Sequence, residues 1–162
     1  MTLANRITLL RIAAIPLCLL FLLMGFYGLA TVVFLLLSFS DAIDGYVARK
    51  YHQVSEIGKQ LDPLADKILV ITVLIGLTSL GRTPVIPVII LTVRELIVAS
   101  FRTKKVFAAS PIAKWKTFFQ IIAVVMLMLN LPLAGWALWF SVLLSLLSGG
   151  VYLWQIKIIN RL

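Results

Sequence analysis

Hydropathy divides this chain into six apolar runs of roughly 20 residues, separated by short polar breaks. The runs cover about 6–26, 29–50, 57–80, 84–104, 113–130 and 134–156. At a rise of ~1.5 Å per residue, each is long enough as an α-helix to cross a hydrocarbon layer ~30 Å thick. The breaks FYG at 26–28, GRTP at 81–84 and NLPLAG at 130–135 carry the Gly, Pro and Asn that end helices and start turns. The pattern predicts an all-α, polytopic membrane protein. Its six transmembrane helices form one integral domain over residues 1–162, with both termini on the same side of the bilayer.

Composition supports that reading. Of the 162 residues, 62% are hydrophobic, against ~45–50% in soluble domains. The mean hydropathy is +1.08. The net charge of +9 does not point to nucleic acid, because a soluble basic binder would not be this apolar. Its distribution is more informative. Arg6, Arg11, Arg49, Lys50, Lys59, Arg102, Lys104, Lys105, Lys114, Lys116, Lys157 and Arg161 fall near one face of the six-span map, whereas the opposite connections hold Arg82. The positive-inside rule makes the crowded face cytoplasmic. A multi-pass protein of the cytoplasmic (inner) membrane is expected, with the lipid bilayer as its surroundings. The N-terminal run is expected to stay as the first span rather than be cleaved as a signal. Cys18, the single cysteine, reads as a small buried hydrophobe, and Trp136, Trp139 and Trp154 as interfacial anchors.

Acids are scarce, and their placement is not random. Five of the six lie within one stretch, SDAIDGYVARKYHQVSEIGKQLDPLADKI, from Ser40 to Ile68, and four of these are aspartates, Asp41, Asp44, Asp62 and Asp66. Carboxylates at the edge of membrane helices are costly, so they face a polar cavity, a partner or a metal. Spacings of three and four place each pair on one helix face. If the second and third spans form an antiparallel hairpin around Tyr51–Ser55, the two faces converge. Four bare carboxylates would repel one another and take up protons. Hard divalent cations with oxygen ligands remove that conflict, and magnesium characteristically combines protein carboxylates with substrate phosphate oxygens. Two such ions ~3.5–4 Å apart suit an in-line displacement at phosphorus. The aspartates therefore predict phosphoryl-type chemistry at the cytoplasmic surface, with two divalent cations, magnesium or manganese.

The intervening residues fit this chemistry. Gly45 follows Asp41 by four, Ala48 follows Asp44 by four and Gly58 precedes Asp62 by four, so small residues share the ligand faces. Arg49 offers a planar fork suited to a diphosphate. Pro63 admits two readings. Asp62 and Pro63 can be the N-cap and first turn of the third span. Alternatively the helix starts near Ser55 and Pro63 lies inside it, which is the reading favoured here because Gly58 then joins the site.

The same stretch resembles the signature of the CDP-alcohol phosphatidyltransferase family, D-x2-D-G-x2-A-R-x8-G-x3-D-x3-D. It is met at Asp41, Asp44, Gly45, Ala48, Arg49, Gly58, Asp62 and Asp66. The resemblance implies that Asp41, Asp44, Asp62 and Asp66 hold two metal ions and that Asp66 is also the general base. It implies a cytidine diphosphate donor over Gly45 and Ala48, with Asn5 and Thr8 near the donor phosphates. Capping of the first helix is an equal alternative for those two. It also implies a homodimer.

NRITLLRI at the N-terminus, DPLADK, VREL with Arg94 and Glu95, Arg102, and KWKTFFQ with Lys114 and Lys116 are similar to bacterial phosphatidylglycerophosphate synthases. The chain departs from them at Ala113, where glycine is usual, and in a shorter connection from Arg102 to Lys114. This likeness implies CDP-diacylglycerol as donor and sn-glycerol 3-phosphate as acceptor. A dianionic acceptor needs cations, and Arg94, Arg102, Lys114 and Lys116 are the candidates. Arg94 lies too deep in its span to snorkel and must pair inside the bundle, with a phosphate or an acid. Neighbouring Glu95 points elsewhere on an ideal helix and is not the expected partner. Lys114 and Lys116 also read as topology signals. Cardiolipin synthases, which use phosphatidylglycerol, and phosphatidylinositol-phosphate synthases are the alternatives within the superfamily. A cation channel lined by the aspartates is disfavoured, because no polar track continues through the outer halves of the spans.

Overall fold

The computed structural model describes the backbone of residues 3–50, 56–102 and 111–159, and within it the side chains of 9–40, 65, 67–99 and 115–151. Six α-helices follow one another: α1 (Leu3–Leu23), α2 (Tyr27–Lys50), α3 (Glu56–Ser79), α4 (Val85–Arg102), α5 (Pro111–Met128) and α6 (Ala134–Ile159). The described residues contain no strand. They form two compact units, 1–82 and 83–162.

Three helices stop in the same way. Gly25 follows α1 with φ +83°; its N–H donates to the Leu22 carbonyl at 3.1 Å, and the Phe26 N–H donates to Phe21 at 2.9 Å. Gly81 after α3 (φ +68°) and Asn130 after α5 (φ +53°) repeat that pair of bonds, with Arg82 N–H to Leu77 and Leu131 N–H to Met126, both at 2.9 Å. This is the Schellman arrangement, which satisfies the last carbonyls of a helix and needs a residue tolerant of left-handed backbone. The first reversal therefore occurs at Gly25, and Tyr27 and Gly28 of the expected FYG turn already belong to α2.

In the first unit α1 packs against both α2 and α3. Its buried stripe runs Arg11, Ile15, Cys18, Leu22, at alternating steps of four and three that keep one face inward. Phe34 and Ala30 of α2, and Leu69, Val73 and Leu77 of α3, complete this core. The Cys18 thiol lies 3.5 Å from the Ala30 carbonyl, as a packed weak donor. Where the chain leaves α3, the Arg82 guanidinium stacks 3.5 Å above the Tyr27 ring at the start of α2.

In the second unit α6 packs against α5 and α4. Its inward face carries Ala134, Leu138, Ser141, Val142, Ser145 and Ser148. Among the described residues, Ala134–Val151 of α6 is long and apolar enough to cross a membrane; Leu9–Leu23, Tyr27–Ser40, Lys67–Ser79 and Trp115–Met128 are apolar but shorter stretches. Large apolar side chains stand exposed on all of these helices, among them Leu10, Leu36, Ile75, Ile86, Phe118 and Trp136.

Candidate active site

The eight motif residues occupy two helices of the first unit. Asp41, Asp44, Gly45, Ala48 and Arg49 lie in the last part of α2, and Gly58, Asp62 and Asp66 in the first part of α3. Each helix is continuous through its pair, so the three- and four-residue spacings are helical spacings. α3 begins at Glu56, so Pro63 lies inside it rather than at its first turn. There proline withholds an N–H from the Lys59 carbonyl, and Gly58 shares the helix with the aspartates. The side chains of all eight lie outside the described residues, as do those of Asn5, Thr8, Arg102 and Lys114. α1 starts at Leu3, which places Asn5 and Thr8 within the helix and away from the cap position.

Beside this segment stands a group assigned above only to charge topology. Arg11 is 2% exposed, among the largest fully buried side chains described. Its Nε–H donates to Ser40 Oγ at 3.0 Å, and Ser40 in turn donates to the Leu37 carbonyl at 3.0 Å. Ser40 immediately precedes Asp41. A buried guanidinium is tolerated only when hydrogen-bonded and compensated. Arg11 thus fastens α1 to α2 at the point where the aspartates begin. Its register with Ile15, Cys18 and Leu22 was the signal for burial in the sequence.

The second unit holds a further polar cluster. Glu95 of α4 is buried, and its Oε1 accepts from Arg94 Nη1 at 2.9 Å and from Lys116 Nζ of α5. The Arg94 and Lys116 side chains are themselves nine-tenths buried. Two cations thus share one carboxylate, leaving one formal positive charge among these three groups. Arg94 does pair with the adjacent Glu95, contrary to expectation. Neighbours sit ~100° apart around a helix, but the long arginine stem folds along the turn until its guanidinium reaches the carboxylate. Glu95 itself went unassigned, although an acid inside an apolar run calls for a partner. Arg94 Nε is buried with no hydrogen-bond partner among the described residues. Gln120, one turn beyond Lys116, is buried too.

The chain matches the family model of the CDP-alcohol phosphatidyltransferases over residues 1–147, across both units. It belongs to the CDP-alcohol phosphatidyltransferase family. Curated relatives agree with that membership. The CDP-diacylglycerol–glycerol-3-phosphate 3-phosphatidyltransferase of Bacillus subtilis (strain 168) is 37% identical, with 93% of this chain and 92% of the relative covered. The protein of the same name from Rickettsia bellii (strain RML369-C) is 36% identical at the same coverages. A probable phosphatidylglycerophosphate synthase of Mycobacterium tuberculosis (strain ATCC 25618 / H37Rv) is 38% identical over 82% of this chain and 68% of its own.

Arg11 gives this family member a testable structural claim. Replacing it by methionine keeps an unbranched apolar stem but removes the charge and the donor to Ser40. Loss of a hydrogen bond from a charged group costs about 1.5–3 kcal/mol, which for a chain of this size lowers Tm by about 3–12 °C. Thermal unfolding of the detergent-solubilised Arg11→Met variant reads this directly, and an unchanged Tm would mean that Arg11 does not anchor α2.

Proposed function

We propose that this chain transfers the phosphatidyl group of CDP-diacylglycerol to sn-glycerol 3-phosphate, giving phosphatidylglycerophosphate and CMP. The observation that carries this reading is the likeness, over 93% of the chain, to relatives named for that reaction. In this reading the protein is a multi-pass protein of the cytoplasmic membrane, its six helices are spans, and its exposed apolar side chains face lipid. The site opens to the cytoplasm, where the basic residues gather.

The chemistry follows from the residue types. Asp41, Asp44, Asp62 and Asp66 make an all-oxygen donor set at helical spacing on α2 and α3, which suits hard divalent cations. Magnesium or manganese bound there would stabilise negative charge on the donor diphosphate and on departing CMP. Gly45, Ala48 and Gly58 leave room for the nucleotide, and Arg49 suits its diphosphate. Asn5 and Thr8 of α1 serve the donor phosphates. Asp66 accepts the proton of the acceptor hydroxyl as that oxygen bonds to the lipid-side phosphorus. The bond from this phosphorus to the bridging oxygen breaks, and the oxygen leaves with CMP. Arg94 and Lys116, with Arg102 and Lys114, hold the acceptor's phosphate.

The reading is tested by CMP release from the purified chain with CDP-diacylglycerol and magnesium. Release is expected to depend on sn-glycerol 3-phosphate; release with phosphatidylglycerol but not with glycerol 3-phosphate would reassign the acceptor. Asp66→Asn removes the base while keeping the shape of the side chain. Turnover is expected to fall by at least ~10²-fold, the lower range for a positioned base, with donor binding retained. Turnover within a few-fold of wild type would take the base role away from Asp66.

A further inference from the structure

Two adjacent glycines of α6, Gly149 and Gly150, are not equivalent. A Cβ placed on Gly149 would lie 3.0 Å from Arg94 Nε and 3.6 Å from both Cγ and Nη2, whereas one on Gly150 meets nothing within 4 Å. The three nearest atoms all belong to Arg94. The glycine therefore makes room for that side chain and not for close approach of another helix backbone, the usual service of glycine in membrane helices. The crowded atom is not a mobile tip. Nε is the inner nitrogen of the rigid guanidinium, and Nη1 is tied to Glu95 at 2.9 Å. Moving Nε away from α6 would move the whole fork or break the ion pair.

A glycine inside a helix is destabilising by roughly 0.5–1 kcal/mol relative to alanine. Gly149 lies in the helix and is buried, so local helix stability alone favours alanine at this position. Arg94 is what alanine would disturb. We propose that Gly149 is a positioning residue for the acceptor: by having no side chain it sets where the Arg94 guanidinium lies. The inference rests on the reading that Arg94 meets the acceptor phosphate. A planar fork recognises phosphate through paired, parallel hydrogen bonds, which tolerate little displacement. A misplacement of ~1 Å costs on the order of 10²-fold in rate.

The test measures CMP release at saturating CDP-diacylglycerol with varied sn-glycerol 3-phosphate, using the full chain in detergent. The variants are Gly149→Ala, Gly149→Val, Gly150→Ala, Arg94→Lys and the Gly149→Ala/Arg94→Lys double variant. Gly149→Ala is expected to raise the acceptor KM by about tenfold, and Gly149→Val to lower kcat/KM for the acceptor by on the order of 10²-fold. The donor KM stays within about twofold, and Gly150→Ala, which gains the same helix propensity, behaves as wild type. Arg94→Lys impairs acceptor use by itself, and adding Gly149→Ala to it costs less than about a further twofold, because the contact is already gone. Wild-type kinetics for Gly149→Ala, or effects that multiply in the double variant, would overturn the proposal while leaving Arg94 in its role. A parallel loss of donor affinity or of Tm would also overturn it, as a general packing defect. Wild-type acceptor kinetics for Arg94→Lys would instead remove the reading on which the proposal stands.

Discussion

A charge inside an apolar helical bundle has to be matched by another, and in the second unit that constraint falls on Glu95. Its Oε1 takes both Arg94 and Lys116, so one carboxylate links α4 to α5 and keeps two cations where solvent does not reach them. Without it two like charges would be left uncompensated inside the bundle, which is strongly destabilising. With it they lie close together, and the three groups sum to one formal positive charge. The cluster joins α4 to α5 through side chains that are nine-tenths buried or more. α6 completes it by offering backbone instead of a side chain at Gly149.

The first unit handles its charges by related means. Arg11 continues the apolar stripe of α1 and donates into α2 at Ser40, one residue ahead of the first motif aspartate. At the far ends of α1 and α3, Schellman caps close the helices with almost no polar side chains, while the aspartates lie toward the opposite ends of α2 and α3. The tight connections thus concentrate at one end of the helices and the motif aspartates at the other.

Most of the fold was legible because each long apolar run is bounded by turn-forming residues. The run expected at about 29–50 is α2 at Tyr27–Lys50, and that at 57–80 is α3 at Glu56–Ser79. The start of α3 ahead of Pro63 was readable from Gly58, whose place in the motif made sense only on the same helix. The reversal at Gly25 was less so, because FYG and MG both contain a turn former and the left-handed backbone that decides between them appears only in the structure. The motif stood out by composition, since acids are rare here. Arg11 and Glu95 did not. One was counted among topology charges, although its register with Ile15 and Leu22 marks it as buried. The other was set aside on helix geometry, which fixes Cβ directions but not the reach of an arginine.

Among the described residues, the charged cluster of the second unit includes Arg94 Nε, buried and without a hydrogen-bond partner. The most direct measurement is therefore of binding without turnover. The Tm of the purified chain, free of donor and metal, would be titrated with sn-glycerol 3-phosphate and, separately, with glycerol. A ligand at ~100 times its Kd stabilises by about 2.7 kcal/mol, or roughly 5–11 °C at this size. The account predicts a saturable rise with glycerol 3-phosphate, none with glycerol, and its loss in Arg94→Gln. No rise, or the same rise with glycerol or in Arg94→Gln, would contradict the assignment of the buried cations to the acceptor.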